Sequence, residues 1–223
     1  NKAQKNTTSP VVLVEEIDSG ASKLGLLTLN SEKTLNSITL EMVHILTASL
    51  KQWAQDDSIK AVILRGAGDK AFCAGGDVQA LYRSAKSPVD GICVDAEQFF
   101  LDEYQLDYLI HTYDKPIICL GNGIVMGGGL GLMAGASHRV VTETSRIAMP
   151  EITIGLFPDV GSTIFLNQLP YNLGYFFALT GAQMNANDAL FCRLADYAIQ
   201  WKDHDQLMDM LKSLDWQSDD EAN

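Results

Sequence analysis

The sequence predicts an α/β domain built on a mainly parallel sheet. Short apolar runs alternate with stretches of helical period, the pattern left by strands joined through crossover helices. Glycine clusters stand directly behind two of those runs, which places the expected site at the carboxyl ends of strands. The 223 residues are 47% hydrophobic and contain no linker, internal repeat or low-complexity segment, so one packed domain accounts for them.

Residues 11–17 and 25–29 read as strands, the second ending at Asn30. Thr39 is a capping residue for a helix in which Met42, Leu46, Leu50 and Trp53 recur three or four apart and make one apolar face. Residues 61–65 form a strand of buried type, and Gly66-Ala-Gly-Asp69 a loop. After Phe72-Cys-Ala-Gly-Gly76, Asp77 opens a helix through Tyr82. Residues 84–95, with Ser87, Pro88, Asp90 and Gly91, read as a surface excursion. An amphipathic helix follows over 96–112, with Phe99, Phe100, Tyr104, Leu106 and Leu109 on or near its apolar side. Residues 117–120 are a strand, 128–136 a helix of small residues, and 140–141 and 146–149 are strand-like. Helical patterns dominate from Gly161 onward.

Composition narrows the function classes. With 28 acids against 16 bases the net charge is −12, which argues against nucleic-acid binding, since phosphate contacts need clustered Lys and Arg. Residues 203–223 hold seven of the acids and one Lys, and read as a solvated helix face with a frayed end. Cys73, Cys93, Cys119 and Cys192 are widely spaced, without a CxxC pair or Cys/His ligand spacing. Neither a metal site nor a disulfide framework is therefore expected, and a reducing compartment is. Residues 1–10 are polar, carry no apolar signal region and read as a loose end ahead of a core domain over 11–223. Residues 116–137 are uncharged and long enough to span a bilayer, yet seven glycines fall between Gly121 and Gly135. A strand, a glycine turn and a buried helix explain that run, so no membrane span is expected.

Three constellations carry possible chemistry. In Ala71-Phe-Cys-Ala-Gly-Gly-Asp77, a strand-to-helix turn, the Gly76 N–H can donate to an anionic oxygen, or the segment is an ordinary loop. Cys73 there has apolar neighbours and no nearby His, and reads as a buried structural thiol. In Gly121-Asn-Gly-Ile-Val-Met-Gly-Gly-Gly129, two readings compete. One is a dinucleotide fingerprint, with Glu143 about 20 residues on as a ribose-binding acid. The other is a second backbone donor, the Gly128 N–H at a helix start, converging with Gly76 on one oxyanion. There is no Gly-x-Ser-x-Gly motif, and Ser137 beside His138 reads as wrongly spaced for a hydrogen-bonded pair. In the third, Glu151 and Asp159 lie eight apart in the apolar segment from Met149 to Gly161. Buried carboxyls in such surroundings are acid/base candidates, although either is also a possible turn or capping acid, Asp159 for a helix starting near Gly161.

These segments follow one another as in the crotonase (enoyl-CoA hydratase/isomerase) superfamily, which the chain resembles over about residues 11–200. Asn30-Ser-Glu-Lys-Thr-Leu-Asn36 looks like that family's N-terminal signature. Phe72-Cys-Ala-Gly-Gly-Asp77, Asp102-Glu-Tyr104 and Ile154-Gly-Leu-Phe-Pro-Asp-Val-Gly161 look most like its branch that hydrolyses 3-hydroxyisobutyryl-CoA. The resemblance implies an α/β, crotonase-like (ClpP/crotonase) core of repeated ββα units wound in a spiral, lacking a C-terminal helical part, and hence a chain that is the core of a longer protein. It implies a short 3-hydroxyacyl-CoA substrate in valine catabolism, with the thioester oxygen on the N–H groups of Gly76 and Gly128. Glu151 and Asp159 would be catalytic, and Glu103, Gly128, Glu151 and Asp159 would contact substrate. CoA would be part of the substrate, with no separate cofactor or metal, and a homo-oligomer is a further expectation. The setting would be cytoplasmic in a bacterium or the mitochondrial matrix in a eukaryote. The related hydratases use a second glutamate three residues after the second oxyanion glycine. That position here is Gly131, which favours hydrolysis over hydration. Departing from the pattern, Ser162-Thr163 follow Gly161 where related hydrolases tend to have glycine or other small residues. Lys33 and Lys70 are the candidates for contact with CoA phosphates, against a merely solvated role.

Overall fold

The structure, a computed structural model, describes residues 9–216. The loose end expected over 1–10 thus falls largely outside the described residues, as does the end of the acidic tail. Pro10 is not loose, because its carbonyl accepts a hydrogen bond from Asn30 Nδ2 at 2.8 Å.

Strands β1 (Val12–Ser19) and β2 (Ser22–Leu29) form an antiparallel hairpin. Helix α1 (Leu40–Ala54) starts at Thr39, whose hydroxyl accepts from Met42 N, and buries the predicted face Met42, Leu46, Leu50 and Trp53. Strands β3 (Ile59–Gly66) and β4 (Ala71–Cys73) follow, then α2 (Val78–Lys86) and α3 (Val94–His111). Next come β5 (Ile117–Gly121), β6 (Ile124–Met126) and α4 (Gly128–Gly135), then β7 (His138–Thr142) and β8 (Arg146–Ala148). After a 3-10 turn at Glu151–Ile154 lie the short helices α5 (Ser162–Phe165), α6 (Leu173–Thr180) and α7 (Ala186–Phe191). Strand β9 (Tyr197–Ile199) and helix α8 (His204–Ser213) complete the described chain.

The strands form a six-stranded sheet, β1-β2-β3-β5-β7-β9, and a three-stranded sheet, β4-β6-β8. Every pairing except the β1–β2 hairpin is parallel. The chain lays one strand in the large sheet and the next in the small one, returns through helix, and repeats. This is the expected ββα spiral. The inner strands of the large sheet are buried on both faces, as parallel sheets require, while the edge strands β1 and β9 are partly exposed. Leu27, Leu29, Val62 and Leu64 join the main core with α1 and α3, while Leu24, Leu26, Ala61 and Ile63 pack beneath Met208 and Leu211 of α8. The acidic tail is therefore, over α8, an amphipathic helix with its charge in solvent.

Strands β4, β6 and β9 depart from the expected pattern. The first two lie where turns are expected and β9 lies in a region of helical pattern. Each has three residues, too few to show a period of two. Residues 116–137 fold as β5, β6 and α4, and among the described residues no helix is long and apolar enough to cross a membrane.

Candidate active site

The spiral brings the two glycine turns together. Ile38 N–H donates to Gly75 O at 2.8 Å and Asp77 N–H donates to Ile38 O at 2.9 Å. This bridge uses the groups on either side of Gly76, so the Gly76 N–H points the other way. Phe99 of α3 closes behind it, since a β-carbon on Gly76 would lie 3.2 Å from the Phe99 ring. Asp77 caps α2 by accepting from Ala80 N at 3.0 Å. Gly128 is the first residue of α4, where an N–H has no partner within the helix. The preceding Gly127 takes φ +52, a backbone turn that glycine permits at the helix start. A β-carbon on Gly75 would sit 3.6 Å from Gly128 N, so the two turns are in contact.

Carboxyls surround these donors. Glu103 of α3 is 2% exposed, and its Oε1 lies where a β-carbon on Gly128 would go. Burial, with the charges of Asp107, Asp159 and Glu151, pushes it up to about 9. Glu151 opens the 3-10 turn after Pro150 and is buried, its Oε1 2.7 Å from the β-carbon position of Gly127. Its Oε2 has no hydrogen-bond partner among the described residues, and burial, reinforced by Asp159, pushes it up to about 7. Asp159 does not cap α5. The N–H of Ser162 goes to the Asp159 backbone carbonyl at 2.8 Å, and the carboxylate instead accepts from Tyr104 OH at 2.6 Å. Burial raises its pKa while that bond opposes the rise.

Gly76, Gly128, Glu103, Glu151 and Asp159 line one cavity of about 180 Å³, with Phe99, Phe100 and Leu81 supplying apolar wall. All five sequence-derived residues therefore meet. Gly131 leaves no room for a second catalytic side chain, because a β-carbon there would fall 2.5 Å from Val160 Cβ. Val160 is itself constrained at φ +44, an unusual conformation for a β-branched residue. A reacting carbonyl in this cavity would meet two backbone donors, one at a helix start, and two carboxyls whose pKa burial raises, Glu151 to about 7.

Other expectations are corrected. The dinucleotide reading fails because β6 stands between Gly121-x-Gly123 and α4, so no strand–turn–helix phosphate cradle forms. The Glu143 carboxylate is occupied in accepting from Trp201 N at 2.8 Å. Ser137 and His138 do hydrogen bond, at 2.9 Å, because the serine rotates toward the ring's Nδ1. That hydroxyl also bridges Ile117 N and O, a structural clasp between β5 and β7. Cys73, by contrast, is the buried structural thiol expected: it is fully buried and burial pushes it up to about 12.

Sequence reasoning missed two contributions. Asn36 of the N-terminal signature is a buried clamp, donating to Ala67 O and Ala71 O and accepting from Ser31 N, which fixes the loop entering β4. Asp107, one turn beyond Glu103 on α3, is buried beside the site; its only signal is the four-residue spacing. Lys33 and Lys70 line a common surface cavity of about 230 Å³ with Asn36.

Comparison with known proteins supports the same grouping. The enoyl-CoA hydratase/isomerase family model matches residues 24–223. The chain is 44% identical over 189 residues to the mitochondrial 3-hydroxyisobutyryl-CoA hydrolase of Danio rerio, covering 85% of this chain and 47% of that protein. It is 42% identical over 175 residues to the Homo sapiens protein of the same name, covering 78% and 44%. The chain thus spans about half the length of the curated relatives it matches. Among solved structures, a carnitinyl-CoA dehydratase from Mycobacterium thermoresistibile superposes with a TM-score of 0.85 at 44% identity, over 91% of this chain and 57% of that one. An enoyl-CoA hydratase from Rhodobacter sphaeroides gives 0.83 at 37% identity, over 91% and 58%. With its ββα spiral, its paired glycine turns and a family match over nearly the whole chain, this protein belongs to the enoyl-CoA hydratase/isomerase family.

Proposed function

We propose that this chain is the catalytic core of an acyl-CoA thioester hydrolase, acting on a short 3-hydroxyacyl-CoA and foremost on 3-hydroxyisobutyryl-CoA, a step of valine catabolism. The observation that carries this reading is the single cavity in which two glycine turns face Glu151 and Asp159, while Val160 occupies the space beside Gly131. The thioester oxygen accepts from Gly76 and Gly128, which hold the charge that develops as the carbonyl is attacked; losing one such donor typically costs about 10²–10³ in rate. Glu151 attacks the carbonyl to give a mixed anhydride or activates water, both of which need its carboxylate. Asp159, aligned by Tyr104, takes the 3-hydroxyl or orients the water, and Glu103 lines the acyl cavity. CoA arrives with the substrate and no further cofactor is invoked. Lys33 and Lys70, sharing one hollow, are the proposed contacts for its phosphates. The mitochondrial names of animal relatives support a matrix setting if the source is eukaryotic, and a bacterial source would place it in the cytoplasm.

A thiol-release assay over a panel of acyl-CoAs tests the proposal. Free CoA thiol should appear with 3-hydroxyisobutyryl-CoA ahead of straight-chain substrates. The second reading, hydration or dehydration, is favoured by the names of the two solved relatives. It would give a change in enoyl absorbance without thiol.

A further inference from the structure

On the far side of the Tyr104–Asp159 hydrogen bond lies a second cavity, of about 200 Å³. Asp107 and His111 of α3, Gly131 of α4, Arg139 of β7 and Gln168 line it. Tyr104 faces this cavity and its partner Asp159 faces the acyl cavity, while Val160 lines both. Val160 and the Tyr104–Asp159 hydrogen bond thus join the linings of the two cavities.

Asp107 is the anomaly. It is 9% exposed, and neither carboxyl oxygen has a hydrogen-bond partner among the described residues. Arg139, which also lines the cavity, is held by Asp196 through bonds of 2.7 and 2.9 Å. Buried carboxyls are costly without partners, and such groups are ordinarily satisfied by protein or ordered water. Burial and the charge of Asp159 push Asp107 up to about 8. One turn earlier on the same helix, Glu103 Oε1 also lacks a partner. The cavity is far larger than the roughly 10–15 Å³ that one water needs, and its carboxyl wall is the surface on which buried water is retained.

The hydrolase reading, on which this inference rests, gives that water a task. Each turnover consumes one water and frees one proton, while a bound thioester fills the mouth of the acyl cavity. We propose that the second cavity is the enzyme's water site, with Asp107 as the positioning residue that anchors a hydrogen-bonded chain of water reaching Asp159 past Tyr104 and Val160. A water from this chain adds its oxygen to the acyl carbon, displacing the CoA sulfur directly or opening the Glu151 anhydride once the carbon–sulfur bond has broken. One of its protons ends on the CoA sulfur and the acid leaves as carboxylate. The remaining proton passes outward along the chain, Asp107 accepting on one oxygen as it releases from the other.

The test uses Asp107→Leu and Asp107→Asn in the full-length enzyme. Asp107→Leu is expected to lower kcat about tenfold or more with KM changed less than about twofold, and to raise the solvent deuterium isotope effect on kcat. Asp107→Asn, which still binds water but passes no proton, should fall between it and the wild type. Unchanged kcat and isotope effect, or a loss confined to KM, would overturn the proposal. Should the leucine variant not fold, a high-resolution crystal structure of the wild type decides. Ordered water about 2.7–3.2 Å from an Asp107 carboxyl oxygen is expected, and a dry cavity refutes the proposal. Absence of thiol release by the wild type would instead strike the hydrolase reading, leaving the water positions as the separate measure.

Discussion

Glu151 shows how burial shifts the titration of an ordinary side chain. Seven per cent exposed and with Asp159 nearby, it is pushed up to about 7, so it gains its proton where most glutamates have none. Both proposed roles need it ionised. Thioester hydrolysis should therefore rise as pH passes upward through about 7 and fade below it. Glu151→Gln should still bind acyl-CoA by calorimetry while kcat falls by about 10²–10⁴; near-normal thiol release would disprove the assignment. Asp159 is tuned differently, since Tyr104 stabilises its charged form. Glu151 and Asp159 were both legible as acids in an apolar segment. Whether Asp159 was a cap or a hydrogen-bonded acid of the cavity was not, because that depends on Tyr104 of α3, 55 residues earlier in the chain.

At the scale of elements, helix starts do the positioning. Residues at the starts of α1, α2 and α4 meet around Gly76, with Ile38 bridging the backbone beside it and Asp77 capping α2 immediately after. Loss of the Asp77 cap should thus be felt in stability and in catalysis together. Asp77→Ala is expected to cost about 1 kcal/mol in chemical denaturation. Its kcat should drop more than its KM changes, because the displaced group is one of the two proposed oxyanion donors. Equal stability with unchanged kinetics would show that the Ile38 bridge alone holds the turn. The long elements were readable, since α1 presents four regularly spaced apolar residues. The three-residue strands β4 and β6 were not, although they carry the two turns into contact.

Across the whole molecule, the cavity at the two glycine turns and the second cavity beside it concentrate buried carboxyls that the fold must tolerate. Glu103 is protonated in both folded and unfolded chains below its ordinary value of 4.5. Between 4.5 and about 9 the unfolded chain ionises while the folded one resists. Its contribution to stability is therefore full at the acid end of this window and lost as pH rises through it. Asp107, raised from 3.8 to about 8, acts in the same direction. Glu103→Gln should raise Tm at pH 8, leave it nearly unchanged at pH 4.5, and flatten the pH dependence seen by calorimetry. A lower Tm at pH 8 would mean that the Glu103 charge is stabilised by a partner. The molecule thus holds acids where they weaken it, consistent with sites that sacrifice stability for function.

The sequence by itself determined the layered α/β plan, the apolar face of α1, the two glycine turns and the identity of the acids. These depend on local period, on capping chemistry and on which residues lack a side chain. Tertiary structure alone decided that β4 and β6 pair, that Val160 fills the space beside Gly131, that Tyr104 takes Asp159 and that Asp107 is buried without a partner. Each of these is a contact between elements distant in the chain. Burial, and with it the pKa of every acid here, is set by what the rest of the molecule packs against the residue rather than by its neighbours in sequence.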